Sequence, residues 1–559
     1  MKLELTVENV GKVSLTDRNY LAAGGEASVY VKDKTAYKIY HDASQMIPAD
    51  KIEELGKIKA KNVLKPENVA RNGSTPVGYT MQYIKTTHPL CKLFTKAFKQ
   101  KNGISPEDIV GLVKKMQDTV VDIHKAGCLV VDLNEMNFLV SQRFAIPYFI
   151  DVDSYQTPSY KATAIMESVR DRQVKNNKFT ELSDWFSFAV VTFQLYVGIH
   201  PYKGKHPDYK GNEWLKRMDD GVSVFDSNVT LPRTCEDFSI IPEVHRRWFK
   251  DVFVKGVRSI PPEVGAVVAI VPTKSTITTG TADFDATLML SYNEDIVGMY
   301  DFMGVKYAVT SKHVYKEEKP MPVDVAGIKL LLCASPDMSP IVCRPLNSDV
   351  MNFELANGKE VGRVAARDAM CKNGVVYTVF GSNMVENYFD KLGDRIVHKQ
   401  AVVANVSELA TKVFDGVVFQ DLLGKQHATI PYEKGKCVTI PISELNGYRI
   451  IDAKAEGNVC AVSAEKRGNY YRFVIVFDKL FRTYGVSRHD DISYEPVNFT
   501  VLPNGNCIMT SGPDVMIFNG SKAKTVANPP FDPNTKLFNV GGAVFFVNGG
   551  NVYSVKAKK

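Results

Sequence analysis

Residues 124–140 read HKAGCLVVDLNEMNFLV, and the string FIDVD follows at residues 149–153. Asp132, Asn137 and Asp151 are thus separated by five and then fourteen residues, and each lies beside an apolar run typical of a short strand. Such an arrangement supplies one acid that can orient a hydroxyl group and two oxygen ligands for Mg²⁺, which requires hard oxygen donors. The stretch therefore predicts a magnesium site that acts on phosphate and a hydroxyl.

A turn of small residues precedes this stretch in the chain. The string LAAGGEASVY at residues 21–30 places Gly24 and Gly25 between two strand-like segments, where backbone N–H groups can approach triphosphate oxygens closely. Lys38 follows in the apolar string AYKIY, where a lysine either extends from a sheet edge or is aimed at an anion. The turn upstream makes phosphate the natural target, although an ordinary hairpin explains the turn equally well.

These strings, in this order and over the whole first half of the chain, resemble the protein kinase superfamily. The resemblance implies that Lys38 holds the α- and β-phosphates of ATP and that Asp132 is the catalytic aspartate. It makes Asn137 and Asp151 ligands of Mg²⁺, with Asp153 competing with Asp151 for that role. The nucleotide-binding residues that the resemblance implies are Gly24, Gly25, Val29, Lys38, Glu54, Met81, Gln82, Ile84, Asn137 and Asp151.

The adenine-binding hinge is placed by the same resemblance. GYTMQYI at residues 78–84 resembles the strand that runs into the hinge, with Met81 as the gatekeeper. The backbone groups of Gln82 and Ile84 would then hydrogen-bond adenine. A plain buried strand is compatible with the same string.

The glutamate that would pair with Lys38 is ambiguous. Glu53 and Glu54 both lie in the helical stretch 48–60, and neighbouring helix positions point to different faces. Of the two, Glu54 is the favoured partner of Lys38.

Three later positions extend the resemblance. Glu167 resembles the glutamate at the end of the activation segment, and Asp184 resembles the buried aspartate that braces the catalytic loop. Arg258 resembles the late arginine that pairs with that glutamate. All three are expected to stabilise the fold rather than to take part in the reaction.

The chain also departs from the kinase pattern. Val130 and Val131 replace the His-Arg pair that usually precedes the catalytic aspartate, so a phosphorylation-dependent arginine switch is not expected. Asn134 stands where a lysine usually steadies the γ-phosphate, and this loss is expected to lower the rate. These departures keep a pseudokinase open as an alternative.

The second half of the chain has a repeated pattern, a polar turn followed by Gly and alternating apolar residues. Its glycines are spaced by 42, 41, 48 and 37 residues, and an earlier string MGVKYAV shows a weaker copy at Gly304. A period near 40 with several short strands per repeat is typical of β-propeller blades, with a β-sandwich pair or another all-β array as the alternative. The five regular copies are at Gly374, Gly416, Gly457, Gly505 and Gly542.

The predicted fold class is an α+β bilobal protein-kinase-like domain followed by an all-β domain, a six- or seven-bladed β-propeller. The first half mixes short strands with the helical stretches 106–125 and 183–199. The predicted domains are residues 1–262 for the kinase-like domain, 263–282 for a linker or propeller-closing strand, and 283–559 for the propeller.

Composition excludes several classes of protein. The chain has 559 residues with a formal net charge of +7 and no long Lys/Arg block, so nothing indicates a nucleic-acid partner. Its nine cysteines form no CxxC motif, which favours reduced thiols over a disulfide framework or a zinc site. No apolar run is long enough to cross a membrane, and the N-terminus lacks a signal segment. The kinase-like strings resemble compact bacterial or phage-type Ser/Thr kinases. A cytoplasmic location is therefore expected, in the host if the chain is phage-encoded.

The predicted function is phosphoryl transfer from ATP, with Mg²⁺, to Ser or Thr hydroxyls of a protein. The propeller would recruit that substrate or another protein partner. A pseudokinase that serves as an interaction scaffold and a kinase that acts on a small molecule are the two alternatives.

Overall fold

The structure is a computed structural model of the chain, and it separates into two compact units. The first unit consists mainly of residues before 264 and the second mainly of residues after 283. The residues that the structure describes are 2–162, 165–210, 213–232, 234–263, 284–302, 305–310, 312–323, 325, 331–336, 339–492, 496–502, 505–511, 514–519, 522–526, 536–540 and 543–557. The predicted linker, apart from residue 263, lies outside them.

The first unit is built on a seven-stranded antiparallel sheet and a separate three-stranded sheet. Its strands are β1 (Lys2–Val7), β2 (Gly11–Thr16), β3 (Tyr20–Ala23), β4 (Ala27–Lys32), β5 (Thr35–Tyr40), β6 (Val69–Asn72), β7 (Thr75–Gln82), β8 (Thr87–Pro89), β9 (Phe138–Ser141) and β10 (Pro147–Phe149). The larger sheet has the order β2-β1-β6-β7-β5-β4-β3, and the smaller has the order β10-β9-β8.

Six α-helices are found among the described residues, and two of them are long. They are α1 (Ala49–Gly56), α2 (Lys96–Lys101), α3 (Pro106–Lys125), α4 (Glu181–Val197), α5 (Trp214–Asp219) and α6 (Glu243–Phe253). Helix α3 begins with a capping box in which Ser105 and Asp108 exchange hydrogen bonds, and its apolar stripe faces the core. Helix α4 is buried on nearly all sides and ends at Val197, followed by Gly198 as its cap, whose φ of 87° is left-handed. Both predicted helices are confirmed.

The resemblance to the protein kinase superfamily is wrong as a statement about the fold. Among the described residues, 47% lie in strands and only 18% in helices, and the N-terminal sheet is a half-barrel. A bilobal kinase needs a large helical lobe, whereas in the part of the chain that the structure describes only α3 and α4 are longer than eleven residues. The first unit therefore does not show a kinase-like lobe.

The physical reason for this error lies in what short motifs constrain. The matched strings determine local turns and single side chains, but strand number depends on pairing over long distances. The hairpin β1–β2 lies outside every motif, and it joins the sheet because Thr6 and Val7 pair with Arg71 and Ala70 of β6.

The second unit is an all-β region made of seven four-stranded antiparallel sheets in its described residues. Its first strands are β11 (Phe284–Ser291), β12 (Ile296–Phe302), β13 (Val305–Thr310), β14 (Val314–Lys316), β15 (Lys319–Met321), β16 (Leu331–Ala334), β17 (Pro340–Asn347), β18 (Val350–Leu355), β19 (Glu360–Ala365), β20 (Asp368–Lys372), β21 (Val375–Phe380), β22 (Asn383–Leu392), β23 (Arg395–Asn405) and β24 (Thr411–Phe414). The remaining strands are β25 (Val417–Leu422), β26 (Lys425–Glu433), β27 (Lys436–Pro441), β28 (Arg449–Glu456), β29 (Val459–Lys466), β30 (Asn469–Phe477), β31 (Tyr484–Ile492), β32 (Phe499–Val501), β33 (Cys507–Ser511), β34 (Asp514–Asn519), β35 (Lys522–Val526), β36 (Lys536–Val540), β37 (Ala543–Asn548) and β38 (Asn551–Ala557).

Six of these sheets use four consecutive strands, and the seventh joins the two ends of the unit. Its order is β11-β38-β37-β36, so that the first strand pairs with the last. Seven apolar clusters lie between successive sheets, and one of them packs the β36–β38 sheet against the β12–β15 sheet. Each sheet of this unit therefore shares an apolar cluster with the next, and the sheet that contains β11 and β38 shares one with the β12–β15 sheet.

Among the described residues, the repeated glycines mark the first turn of four of these sheets. Gly374, Gly416, Gly457 and Gly505 each precede the second strand of a sheet, and each has a positive φ that glycine adopts without steric cost. Gly304 and Gly542 lie outside the described residues. In the part of the chain that the structure describes, no helix is both long enough and apolar enough to cross a membrane.

Candidate functional site

The site predicted from FIDVD is centred on Lys38 of β5. Its ammonium lies 2.9 Å from Asp151 Oδ1 and 2.7 Å from Asp153 Oδ2, across more than a hundred residues of sequence. Burial alone would lower the pKa of Lys38, but the charges of Asp151 and Asp153 outweigh it and raise this pKa above its usual value. The lysine is therefore held as a cation at the position predicted to meet phosphate.

The two aspartates differ in their surroundings. Asp153 is buried, and its carboxylate accepts a hydrogen bond from the Tyr40 hydroxyl as well as from Lys38. Burial raises the pKa of Asp153, but the charge and hydrogen bonds of Lys38 lower it by a larger amount. The pKa of Asp153 therefore lies below its usual value. Asp151 is about half exposed and has a left-handed backbone with φ of 60°.

Asp132 and Asn137 lie together on the loop before β9. Asn137 Nδ2 donates to the Asp132 carbonyl at 2.9 Å and lies 3.4 Å from its carboxylate. Burial raises the pKa of Asp132, which makes its carboxylate a better proton acceptor. Ile150 N–H donates to the Asn137 carbonyl at 3.0 Å, so Asn137 lies beside the strand end that carries Asp151.

The backbone before Asp132 has an unusual conformation that a buried carboxylate supports. Val131 has φ of 61°, which is left-handed and costly for a β-branched residue. Its N–H donates to Asp184 Oδ1 at 2.9 Å, and the Val130 N–H donates to Oδ2 at 2.7 Å. Asp184 of α4 is fully buried and also lies 3.0 Å from His124 Nε2. Asp184 thus orients the loop that presents Asp132.

The predicted pair between Lys38 and Glu54 is not formed. Glu54 accepts hydrogen bonds from the Ser159 hydroxyl at 2.6 Å and from the Ser159 N–H at 3.3 Å. These bonds hold the pKa of Glu54 below its usual value. Glu53 is exposed, and helix α1 instead directs Lys51 inward, where Nζ donates to the Asp153 carbonyl at 2.7 Å. The role of Lys51 was missed because its position has no motif.

The predicted phosphate turn connects β3 to β4. Gly24 N–H donates to the Ala27 carbonyl at 2.8 Å, and both Gly24 and Gly25 are exposed. Val29 of β4 lies directly opposite Lys38 in the antiparallel pair, so the two side chains share one face of the sheet. The turn therefore leads into the strand that pairs with the one carrying Lys38.

The predicted hinge residues lie at the end of β7. Met81 pairs with Ala36 of β5, and Gln82 and Ile84 line a pocket of about 430 Å³. The other walls come from the loop of residues 59–67 and from β10 and the residue before it, and Lys38 is not among the lining residues. The pocket is therefore separate from the aspartate cluster, and the structure assigns no adenine contact to the hinge residues.

The predicted Arg258–Glu167 pair is wrong. Arg258 instead binds Asp171 through two hydrogen bonds, from Nη2 at 2.7 Å and from Nε at 2.8 Å. Glu167 pairs with Arg172 at 2.6 Å. Asp171 lies only four residues from Glu167 and suits the same long-range pair, so sequence spacing does not distinguish the two acids.

The residues present fit a magnesium ion that keeps most of its water. No group of three or more His, Cys, Asp or Glu side chains within the described ranges forms a metal site. Mg²⁺ commonly takes one or two protein oxygens and completes its octahedron with water and phosphate. Asp151 and Asn137 supply that number of ligands.

The comparisons with known proteins give no family for this chain. No protein-family model matches the sequence, and no curated protein matches it significantly. The functional argument therefore depends on the residues and their geometry.

Proposed function

We propose that the first unit binds ATP with Mg²⁺ and transfers the γ-phosphoryl group to a hydroxyl. The observation that carries the proposal is the contact of Lys38 with Asp151. Asp132 and Asn137, which are joined by a hydrogen bond, lie beside this contact. A cation for phosphate, a half-exposed carboxylate for metal and a partly buried acid are the parts that phosphoryl transfer requires. The proposal concerns the activity of this site and does not depend on membership of a kinase family.

Each side chain has a role in this proposal. Lys38 binds the α- and β-phosphate oxygens, while Asp151 and Asn137 hold the metal, which neutralises charge on the phosphates when bound. Asp132 orients the acceptor hydroxyl and accepts its proton as the hydroxyl oxygen bonds to the γ-phosphorus. The bond from that phosphorus to the β–γ bridging oxygen breaks, and ADP leaves.

For the second unit we propose a seven-bladed β-propeller that recruits a protein whose Ser or Thr hydroxyl is the acceptor. Seven four-stranded sheets, seven intervening apolar clusters and the pairing of β11 with β38 support this architecture. Propellers often serve as interaction platforms, so a macromolecular acceptor suits the chain better than a small one. The nine free thiols favour a reducing compartment such as the cytoplasm.

A catalytically silent scaffold is the second candidate, and two observations favour it. The Met166 N–H donates to Asp132 Oδ1 at 2.8 Å and so occupies an oxygen that an acceptor hydroxyl needs. Asn134 is buried, and its side chain accepts the Met136 N–H at 2.8 Å instead of extending towards a phosphate. Such a scaffold would bind nucleotide without transferring phosphate.

The experiment is transfer of label from [γ-³²P]ATP in the presence of Mg²⁺, with a generic protein acceptor. The unmodified chain is expected to label itself or the acceptor, and Lys38→Ala and Asp132→Ala are expected to lose at least 95% of the label. Lys12→Ala and Asp118→Ala are matched controls, because both remove an exposed charge away from the site. A silent parent that is still stabilised by ATP with Mg²⁺ would favour the scaffold, and a parent with no response to ATP would refute both candidates.

A further inference from the structure

The string FIDVD contains two carboxylates, those of Asp151 and Asp153. The sequence does not show which of them is exposed, whereas the structure does. The Asp151 side chain is 46% exposed, whereas that of Asp153 is only 6% exposed. Lys38 contacts both, so its ammonium is shared between an exposed carboxylate, that of Asp151, and a buried one, that of Asp153.

The oxygens of Asp153 are occupied from several directions. Lys38 lies 2.9 Å from Oδ1 and 2.7 Å from Oδ2, and the Tyr40 hydroxyl donates to Oδ2. The pKa of the nearby Tyr79 hydroxyl is raised by burial and by the charge of this carboxylate. A metal ion could reach Asp153 only by displacing these buried donors, each of which would then lose a hydrogen bond.

The backbone of Asp153 is held as firmly as its side chain. Lys51 is 2% exposed, and its Nζ donates to the Asp153 carbonyl at 2.7 Å. Asp151, in contrast, has no side-chain hydrogen bond to a described residue other than that from Lys38. Its carboxylate can therefore turn towards solvent without disturbing the core.

We propose that Asp153 is a positioning residue that holds Lys38 in place, and that Asp151 alone supplies the carboxylate ligand of the metal. The inference rests on the proposed nucleotide site. When Asp151 binds a cation, Lys38 loses one partner and keeps the other, so its ammonium stays aimed at the phosphates. Asp153 thereby pairs with Lys38, which is the role predicted for Glu54. Glu54 accepts a hydrogen bond from Ser159 instead.

The first test needs no nucleotide. The full chain is treated briefly with acetic anhydride at pH 8, and acetylation of Lys38 is measured by mass spectrometry relative to that of Lys12. Asp153→Asn is expected to increase Lys38 acetylation at least fivefold, and Asp151→Asn less than twofold. An equal increase in the two variants, or none in Asp153→Asn, would overturn the positioning role.

The second test concerns the metal. Binding of Mn²⁺ in the presence of ATP is followed by electron paramagnetic resonance, with Mn²⁺ replacing Mg²⁺. Asp151→Asn is expected to weaken Mn²⁺ binding at least tenfold, and Asp153→Asn by less than threefold. A tenfold loss in Asp153→Asn would make it a ligand and overturn the inference.

The two tests separate this inference from the proposed function. If the unmodified chain binds neither ATP nor Mn²⁺, the proposed function fails and the metal part of the inference fails with it, while acetylation still decides whether Asp153 holds Lys38. If Mn²⁺ and ATP bind but Lys38 acetylation does not respond to Asp153→Asn, the site stands and the positioning role fails.

Two further measurements guard against a failure to fold. Tyr40→Phe keeps the ring and the Asp153 carboxylate and removes one donor, so Lys38 acetylation is expected to lie between that of the parent and that of Asp153→Asn. A double-variant cycle adds a second readout: Asp153→Asn in a Lys38→Met background should leave ATP binding within twofold of Lys38→Met alone. Parent-level acetylation in Tyr40→Phe, or additive losses in the cycle, would contradict action through Lys38.

Discussion

Asp184 Oδ1 accepts the backbone N–H of Val131 at 2.9 Å, and this bond supports a valine whose φ of 61° is left-handed. The Val131 backbone leads directly to Asp132, so the direction of the acidic side chain depends on a carboxylate in another helix. Asp184 was predicted to brace this loop, and in the structure it accepts the Val130 and Val131 N–H groups and lies 3.0 Å from His124 Nε2.

The first prediction is that Asp184→Asn destabilises the first unit and also impairs the site. An asparagine keeps one acceptor, but its NH₂ group faces either the Val130 or the Val131 N–H, so one buried donor is unpaired. We expect a loss of about 3 kcal/mol in the free energy of unfolding and at least a tenfold loss of phosphoryl transfer. Urea denaturation and the ³²P assay measure the two effects.

Glu107→Gln is the control for this prediction, because it removes an exposed acid from the first turn of α3. Its effect should stay within about 0.5 kcal/mol. An Asp184→Asn variant as stable and as active as this control would show that Asp184 does not hold the loop.

The candidate site was predictable from sequence in its residue types but not in its division of roles. Asp132, Asn137 and Asp151 are marked by their spacing, and the structure brings Lys38 to Asp151. The side chain of Asp151 is 46% exposed and that of Asp153 is 6% exposed, a difference that sequence spacing does not reveal. Lys51 was missed because a lysine in a short helix usually faces water.

The second half was predictable where its turns are regular. The glycine pattern identified the sheets that begin with β20, β24, β28 and β32, since each needs a positive φ at its first turn. It missed the sheet β16–β19, whose first turn begins at Ser335 and has no glycine. The seven-stranded sheet of the first unit was missed because the pairing of β1 with β6 joins segments over sixty residues apart.

A second prediction concerns the buried pair of Arg258 and Asp171. Their side chains are 12% and 4% exposed, and the guanidinium also lies 4.3 Å from the centre of the Phe186 ring. Arg258→Met leaves the Asp171 carboxylate buried without its cation, so we expect a loss of about 3 kcal/mol. Urea denaturation of the full chain, followed by a probe in the first unit, measures this loss.

The double variant Arg258→Met with Asp171→Leu is the informative control. Because it removes both charges, its loss should be smaller than the sum of the two single losses by at least 1 kcal/mol, on the order of couplings in contacting pairs. Strict additivity would show that the two side chains act independently.

A third prediction is a pH dependence of stability that comes from His200. Burial lowers the pKa of His200 to about 3, and its Nε2 lies 2.8 Å from the Ser168 carbonyl. The folded chain keeps the imidazole neutral while the unfolded chain protonates it below about pH 6.5. Its contribution is therefore complete above pH 6.5 and is lost at about 1.4 kcal/mol per pH unit as the pH falls towards 3.

The measurement is the free energy of unfolding of the first unit at pH 7, 6 and 5. His200→Gln, which is neutral throughout, should lose less stability between pH 7 and pH 5 than the parent by about 2 kcal/mol. Parallel pH profiles for the two proteins would refute the assignment to His200.

The fourth prediction tests the close packing of successive sheets in the second unit. A Cβ on Gly416 would lie 2.3 Å from the Ala455 carbonyl oxygen, and Gly416 has φ of 74°. That carbonyl cannot move away freely, because the Ala455 N–H donates to the Asp415 carbonyl at 2.7 Å and so ties β28 to the turn after β24. Gly416→Ala therefore combines backbone strain with a steric clash between adjacent sheets, and we expect it to cost about 3 kcal/mol or more.

Gly424→Ala is the matched control, since Gly424 has φ of 82° and nothing within 4 Å of its Cβ position, so it measures the backbone strain alone. The difference between the two variants in urea denaturation isolates the contact with Ala455, and equal losses would mean that the sheets are not packed closely at this turn.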